Sequence, residues 1–362
     1  MILYIIGDVM KSTKLEEYRE KETGLIDFDK FEKENGKNLE TFDEDRGTSR
    51  RDKKWLLFED TKVLVRNENL DEEGVLYTTY QELLFEELAK QVNFPCAHYD
   101  IGKRGNKKCV FSYNILDSEE NKGLSMMSLS DLLDQLEKTE DYSHSYNVRD
   151  AFKAIANYCK CEEIDEETQE EVMREYGKML VLDSFLSSTD RHCENISFIY
   201  GKDEKTGEKI FKLAPVYDNE LSCGSEERIE TMQACIDDFR EAQLVAQMQS
   251  TCATRPETEK EKIEREEAAI YRELNSNYDD DHPNKKKHND INLLVYLMER
   301  DEEIEDFAND CIDCINMPQA LTSVEERIGA KLPQEYRDFI VTNYMNRKPL
   351  MNKALNEFYK IV

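Results

Sequence analysis

The stretch from residue 188 to residue 218 constrains this chain more than any other: STDRHCENISFIY, then GKDEKTGEK, then IFKLAPVYD. Two apolar runs around a polar, glycine-containing turn are the pattern of a β-hairpin. A hairpin returns the chain to where it began, with paired strands about 5 Å apart. Asn195, just before the first strand, is therefore expected near Asp218, at the end of the second. Asp190 lies in the loop just before, after an apolar helical run from Met179 to Phe185. The pattern predicts two carboxylates and an amide converging on one pocket.

Phosphoryl transfer to a hydroxyl uses such a set. One Asp accepts or orients the attacking hydroxyl, while an Asn and a second Asp hold Mg²⁺ against the phosphates. In D-R-H-C-E-N, Asp190 and Asn195 are separated by four residues, the spacing of the kinase catalytic loop. Taken singly, either residue reads as a helix or turn cap. Loop, hairpin and second Asp together favour the catalytic reading. His192 and Cys193 suggest zinc or a nucleophile, but the chemistry belongs to the Asp and the Asn.

The rest of the chain divides in two. Around residues 53–66 the sequence predicts a strand pair, Trp55 to Phe58 and Lys62 to Arg66, preceded by the loop Arg46-Gly47-Thr48-Ser49-Arg50-Arg51. YQELLFEELAKQV (80–92) has Leu83, Leu84, Leu88 and Val92 at helical spacing, and HYDIG and KKCVFSYNIL add two strands about an RGN turn. From about residue 125 the periodicity is helical. The expectation is an α+β chain with a small antiparallel-sheet N-terminal lobe (1–116) and a mainly helical C-terminal lobe (117–362). The highly charged stretch at about 226–290, including TEKEKIEREEAAIYREL, reads as a solvated helical insert and a linker. VEERIGAKLPQEYRDFIVTN reads as a helix–turn–helix in the closing bundle.

A net charge of −30 argues against a DNA or RNA surface, which needs a dense basic footprint, but leaves room for a nucleotide. No apolar run approaches a membrane span, and MILYIIGDVM lacks the basic start and cleavage site of a signal peptide. Ten cysteines, placed where apolar residues belong, indicate reduced thiols and a cytoplasmic protein, with a secreted effector as the alternative. Cys311 and Cys314 continue the stripe of Ile304 and Phe307 and are expected to be buried.

LVLDSFLSSTDRHCENISFIY, followed by KLAPVYDNELS, resembles the HipA-like and CtkA-like bacterial serine/threonine kinases. Their catalytic loop is similar to the D-R-H-x-x-N of phosphoinositide kinases, and their metal Asp sits in a LAP-x-YD segment. The resemblance covers roughly residues 45 to 225, and residues 181–222 are its specific part. It implies a two-lobed protein-kinase-like fold with ATP between the lobes and Mg²⁺ on Asn195 and Asp218. It also implies Asp190 as base or orienting residue, supported by His192, and a protein Ser/Thr hydroxyl, in itself or another protein, as substrate. Phosphates fall to Gly47, Thr48 and Ser49, of which Thr48 and Ser49 are autophosphorylation candidates by resemblance alone. The adenine hinge falls near Phe111, Ser112 and Tyr113. Members usually carry a Lys at the end of the strand after the phosphate loop. Here that strand is KVLVR, with Arg66 at the expected place, Lys62 earlier on the same face, and Glu82 as Arg66's candidate partner. Arg is not a neutral replacement for Lys. A toxin-type member would have an antitoxin or other regulatory partner.

Three other readings compete. A pseudokinase or nucleotide-dependent interaction module fits Arg66, but retention of Asp190, Asn195 and Asp218 speaks against it. A lipid kinase fits D-R-H-x-x-N but not so acidic a chain. MILYIIGDVM with EDRG resembles a metallophosphoesterase start, yet Met10 stands where His is needed and the chain has five His in all.

Overall fold

The structure, a computed structural model, describes residues 13–35, 41–42, 53–58, 61–67, 69–71, 74–76, 78–105, 107–136, 146–188, 190–223, 232, 253–254 and 290–360. The expected opening strand, the loop Arg46–Arg51 and nearly all of the charged insert lie outside the described residues.

The upper lobe starts with α1 (Thr13–Glu16), β1 (Ile26–Asp27), α2 (Phe28–Asn35) and β2 (Thr41–Phe42). It continues through β3 (Lys53–Phe58), β4 (Thr61–Asn67), a small β5 (Asn69–Asp71) and β6 (Gly74–Leu76) hairpin, and α3 (Thr78–Gln91). The chain then forms β7 (Tyr99–Arg104) and β8 (Lys107–Tyr113). The main sheet runs β1-β7-β8-β4-β3-β2. It is antiparallel as expected except at one edge, where β1 pairs with β7 in parallel.

Side chains alternate across a strand, so β4 serves two cores. Val63 and Val65 face outward with Cys109 and Phe111 of β8, packing on Ile26 and Phe28. The Phe28 and Phe111 rings meet edge to face at 5.2 Å. Gly102 permits that packing, because a methyl there would come within 2.5 Å of the Phe28 ring and 2.9 Å of the Ile26 carbonyl. Arg66, opposite Val110 in the register, lies on the other face with α3.

The lower lobe comprises β9 (Ser125–Ser128), α4 (Leu129–Asp134), β10 (Tyr146–Asn147), α5 (Val148–Cys161), α6 (Glu166–Leu186), β11 (Ser197–Lys202) and β12 (Lys209–Leu213). The expected hairpin is present: β11 and β12 pair antiparallel from Phe198↔Leu213 to Lys202↔Lys209, with β9 on the outer side of β11. Among the described residues four helices follow, Asp290–Met298, Glu302–Cys314, Met317–Ile328 and Gln334–Phe358. Cys311 is buried, whereas Cys314 is exposed: the apolar stripe ends one turn sooner than its spacing suggested. No helix among the described residues is long and apolar enough to cross a membrane.

The closing helices do more than complete the lower lobe. Helix α3 buries not only Leu83, Leu84 and Leu88 but also Gln81, Glu82 and Glu86. Gln81 and Glu86 are tolerated there because the C-terminal helices supply partners, while Glu82 is met by Arg66 of β4. The Tyr336 hydroxyl donates to Gln81 Oε1 at 2.6 Å. Arg327 donates to Glu86 at 3.0 Å, to Glu87 at 2.8 Å, and to the Tyr99 carbonyl. The bundle therefore holds the upper-lobe helix directly.

Burial would raise the Glu86 carboxyl, but the His98 hydrogen bond and the charges of Arg327, His98 and Lys90 outweigh it and hold it at about 2 instead of 4.5. A carboxylate lowered by folding stabilises the protein fully above its unfolded value and loses that contribution as pH falls toward the folded one. Urea unfolding should therefore show wild type losing more stability between pH 4.5 and 2 than Glu86→Gln; equal losses would contradict the assigned contacts.

Candidate active site

Asp183 stands alone in the apolar run LVLDSFL of α6, and its side chain is completely buried. A buried carboxylate needs a partner, and Arg191, also completely buried, supplies it. Arg191 Nε and Nη2 donate to the two Asp183 oxygens at 3.0 and 3.2 Å. Its Nη1 donates to the Tyr217 carbonyl at 2.6 Å and the Asn195 carbonyl at 3.3 Å, and Nη2 also donates to Asn219 Oδ1. One guanidinium thus joins the end of α6, the loop carrying Asn195, and the segment carrying Asp218. Burial pushes the Asp183 carboxyl up, against the pull of Arg191.

The Asn195 amide nitrogen donates to the Asp190 carbonyl at 2.9 Å, so its Oδ1 remains the group that can ligate a cation. The Asp190 side chain is 42% exposed, with His192 Nε2 at 3.8 Å from its carboxylate. Asp218 has φ of +56°, a left-handed conformation that is costly for a non-glycine residue and common where a functional side chain is aimed. Its amide donates to the Tyr99 hydroxyl oxygen at 3.3 Å.

Arg66 faces this segment from above. It pairs with the fully buried Glu82, lies 3.0 Å from Asp218 and 3.6 Å from Glu220. The other Glu82 oxygen accepts the Asn219 amide at 2.9 Å, which locks α3 to the lower lobe. Burial raises the Glu82 carboxyl; Arg66 draws it down, while Asp218 and Glu220 push it up. Three carboxylates thus surround one guanidinium, an excess of negative charge that a cation, if bound, would offset. Arg66 Nε is buried without a hydrogen-bond partner among the described residues, a donor suited to a phosphate oxygen. Asp218 and Asn195 offer oxygen ligands, the hard donors that magnesium takes, with phosphates completing its shell. The residues present fit magnesium and a polyphosphate.

A family model of the HipA-like C-terminal domain matches residues 49–276. The chain belongs to that family. The fold is that of a Helicobacter pylori proinflammatory kinase, CtkA, with a TM-score of 0.61 at 15% identity over 90% of this chain and 98% of that one. HipA of Shewanella oneidensis MR-1, solved with HipB and operator DNA, matches at a TM-score of 0.47 and 12% identity, covering 89% of this chain and 64% of that one. No curated protein matches the sequence significantly. The two-lobed architecture is therefore kinase-like.

Of the residues expected at the site, Asp190, Asn195, Asp218, Arg66 and Glu82 come together. Lys62 lies exposed at the opposite end of β4 from Arg66, where its amide donates to Asp117. Phe111 is fully buried in the outer core, and both it and Ser112 are paired with β4 on one side and β7 on the other. Their backbone groups are used by the sheet, so neither is placed to bind a base. Tyr113, the last residue of β8, stacks on His98. Gly47, Thr48 and Ser49 lie outside the described residues. Sequence reasoning missed Arg191, Asp183 and Asn219; the signal was the lone acid in LVLDSFL, which could not be buried without a cation nearby.

Asp183→Leu leaves the Arg191 charge buried and unpaired, and should cost about 3–5 kcal/mol. The double variant Asp183→Leu/Arg191→Met should unfold at a higher urea concentration than Asp183→Leu alone. The reverse order would contradict the pairing.

Proposed function

We propose that the chain is an ATP- and Mg²⁺-dependent protein kinase that phosphorylates serine or threonine hydroxyls, its own among the candidates. The observation that carries this reading is the convergence through Arg191 of the Asp190–Asn195 loop and Asp218, with Arg66 and Glu82 closing over them. Asn195 Oδ1 and the Asp218 carboxylate would hold magnesium. Arg66 would bind a phosphate oxygen through Nε, in the role other kinases give to lysine. Glu82 fixes the Arg66 rotamer and is itself fixed by the Asn219 amide. The half-exposed Asp190 receives or orients the hydroxyl proton, with His192 beside it. ATP supplies the phosphoryl group, and magnesium neutralises charge on its phosphates.

Magnesium-dependent transfer of labelled phosphate from ATP to the chain or to a generic protein substrate tests the reading. Asp190→Ala and Asp218→Ala should each lower transfer about 100-fold or more while leaving the fold intact. Arg66→Lys should retain transfer. Failure of wild type to transfer phosphate, with nucleotide binding intact, would make the chain a nucleotide-binding interaction module instead.

A further inference from the structure

Asp218 holds a left-handed backbone, φ +56°, while its carboxylate lies beside Arg66. A residue keeps such a conformation where its surroundings over-determine it. Peptide groups are rigid planes, so the φ and ψ of Asp218 are set once the planes before and after it are set. The plane after is held by the Asn219 amide, which donates to Glu82 Oε2 at 2.9 Å. The plane before is held at both ends. Its carbonyl, that of Tyr217, accepts Arg191 Nη1 at 2.6 Å, and its amide, that of Asp218, donates to the Tyr99 hydroxyl at 3.3 Å. Of these three anchors, Tyr99 is the uncharged one.

The hydroxyl takes over where main-chain pairing stops. Cys96 and Val216 form a parallel bridge, in which the Val216 amide donates to the Pro95 carbonyl at 3.1 Å and the Ala97 amide to the Val216 carbonyl at 2.8 Å. One more rung would send the Asp218 amide to the Ala97 carbonyl. It goes instead to the side chain of Tyr99, two residues further along. The ladder ends at the left-handed residue, and the phenol supplies the acceptor.

The phenol is itself firmly placed. Tyr99 is 1% exposed. Its amide donates to Glu86 Oε2 at 3.3 Å, its carbonyl accepts Arg327 from the helix Met317–Ile328, and its hydroxyl hydrogen-bonds the Glu82 carboxylate. A carboxylate only accepts, so the phenol proton goes to Glu82 and an oxygen lone pair to the Asp218 amide. One hydroxyl thus ties the helix carrying Glu82 to the backbone of Asp218.

The geometry points to Tyr99 as a positioning residue, whose hydroxyl holds the Asp218 backbone in the conformation that presents its carboxylate to magnesium. The metal part of this inference rests on the kinase reading; the backbone part rests on the hydrogen bonds alone.

Tyr99→Phe removes the oxygen and keeps the buried ring. Tyr336→Phe, which removes the hydroxyl donated to Gln81 on the same α3, controls for the loss of one buried hydrogen bond. Residue-resolved hydrogen exchange of the full chain should show the Asp218 amide exchanging about tenfold faster or more in Tyr99→Phe and unchanged in Tyr336→Phe. In wild type that amide should exchange at least about 100-fold more slowly than an unstructured amide, an expectation that stands even where the variant does not fold. Calorimetric titration with ATP should show affinity in Mg²⁺ weakened about tenfold or more by Tyr99→Phe, with affinity in EDTA within about twofold of wild type. Purely structural damage would weaken both titrations together. An unprotected Asp218 amide in wild type, unchanged exchange in Tyr99→Phe, or equal weakening with and without Mg²⁺ would overturn the inference, while Mg²⁺-dependent ATP binding by wild type would leave the kinase reading standing. Wild type that binds ATP no better in Mg²⁺ than in EDTA would overturn the kinase reading and the metal role of Tyr99 together, and the exchange measurement would still decide whether Tyr99 holds Asp218.

Discussion

The buried pair of Arg191 and Asp183 is the contact on which the site depends. Hairpin closure alone brings Asn195 and Asp218 into the same neighbourhood. The guanidinium fixes how they meet, because it donates to the Asn195 and Tyr217 carbonyls and to the Asn219 side chain while anchored on α6. An exposed ion pair would contribute little, but this one is dry, fully hydrogen-bonded and expensive to break on one side only. The Asp190–Asn195 loop and the segment carrying Asp218 are thereby referenced to one rigid helix.

The upper half of the site is fixed by a second buried cation. Arg66 reaches Glu82 and Asp218, and Glu82 in turn accepts the Asn219 amide, so the two cations share one short segment, residues 217–220. Helix α3 carries Glu82, and the C-terminal helices hold α3 through Tyr336 and Arg327. These contacts favour a closed Arg66–Glu82 arrangement without requiring any partner to push the helix inward.

Much of this was legible in the sequence. Period-two and period-three-to-four patterns located β3, β4, β7, β8, α3, α5, α6 and the hairpin, because each has one face that must be buried. Asp190, Asn195 and Asp218 were legible because a hairpin has little geometric freedom. Glu82 was ambiguous: a glutamate in an amphipathic helix usually faces water, and its buried partners, Arg66 on β4 and the Asn219 amide, are distant in sequence. Phe111 and Ser112 were misplaced as hinge residues, since composition does not show which residues of an apolar strand have neighbours on both sides. Arg191 was hidden behind the residues around it, although the lone Asp183 in an apolar helix implied a cation within reach.

The most direct test is a crystal structure of the full chain with a non-hydrolysable ATP analogue and Mg²⁺. The expected result is a magnesium ion ligated by Asp218 and Asn195 Oδ1 at about 2.1 Å, with a phosphate oxygen on Arg66 Nε. A nucleotide bound away from Arg66, or a cation whose ligands include neither Asp218 nor Asn195, would contradict the assignment of this junction as a magnesium–ATP site.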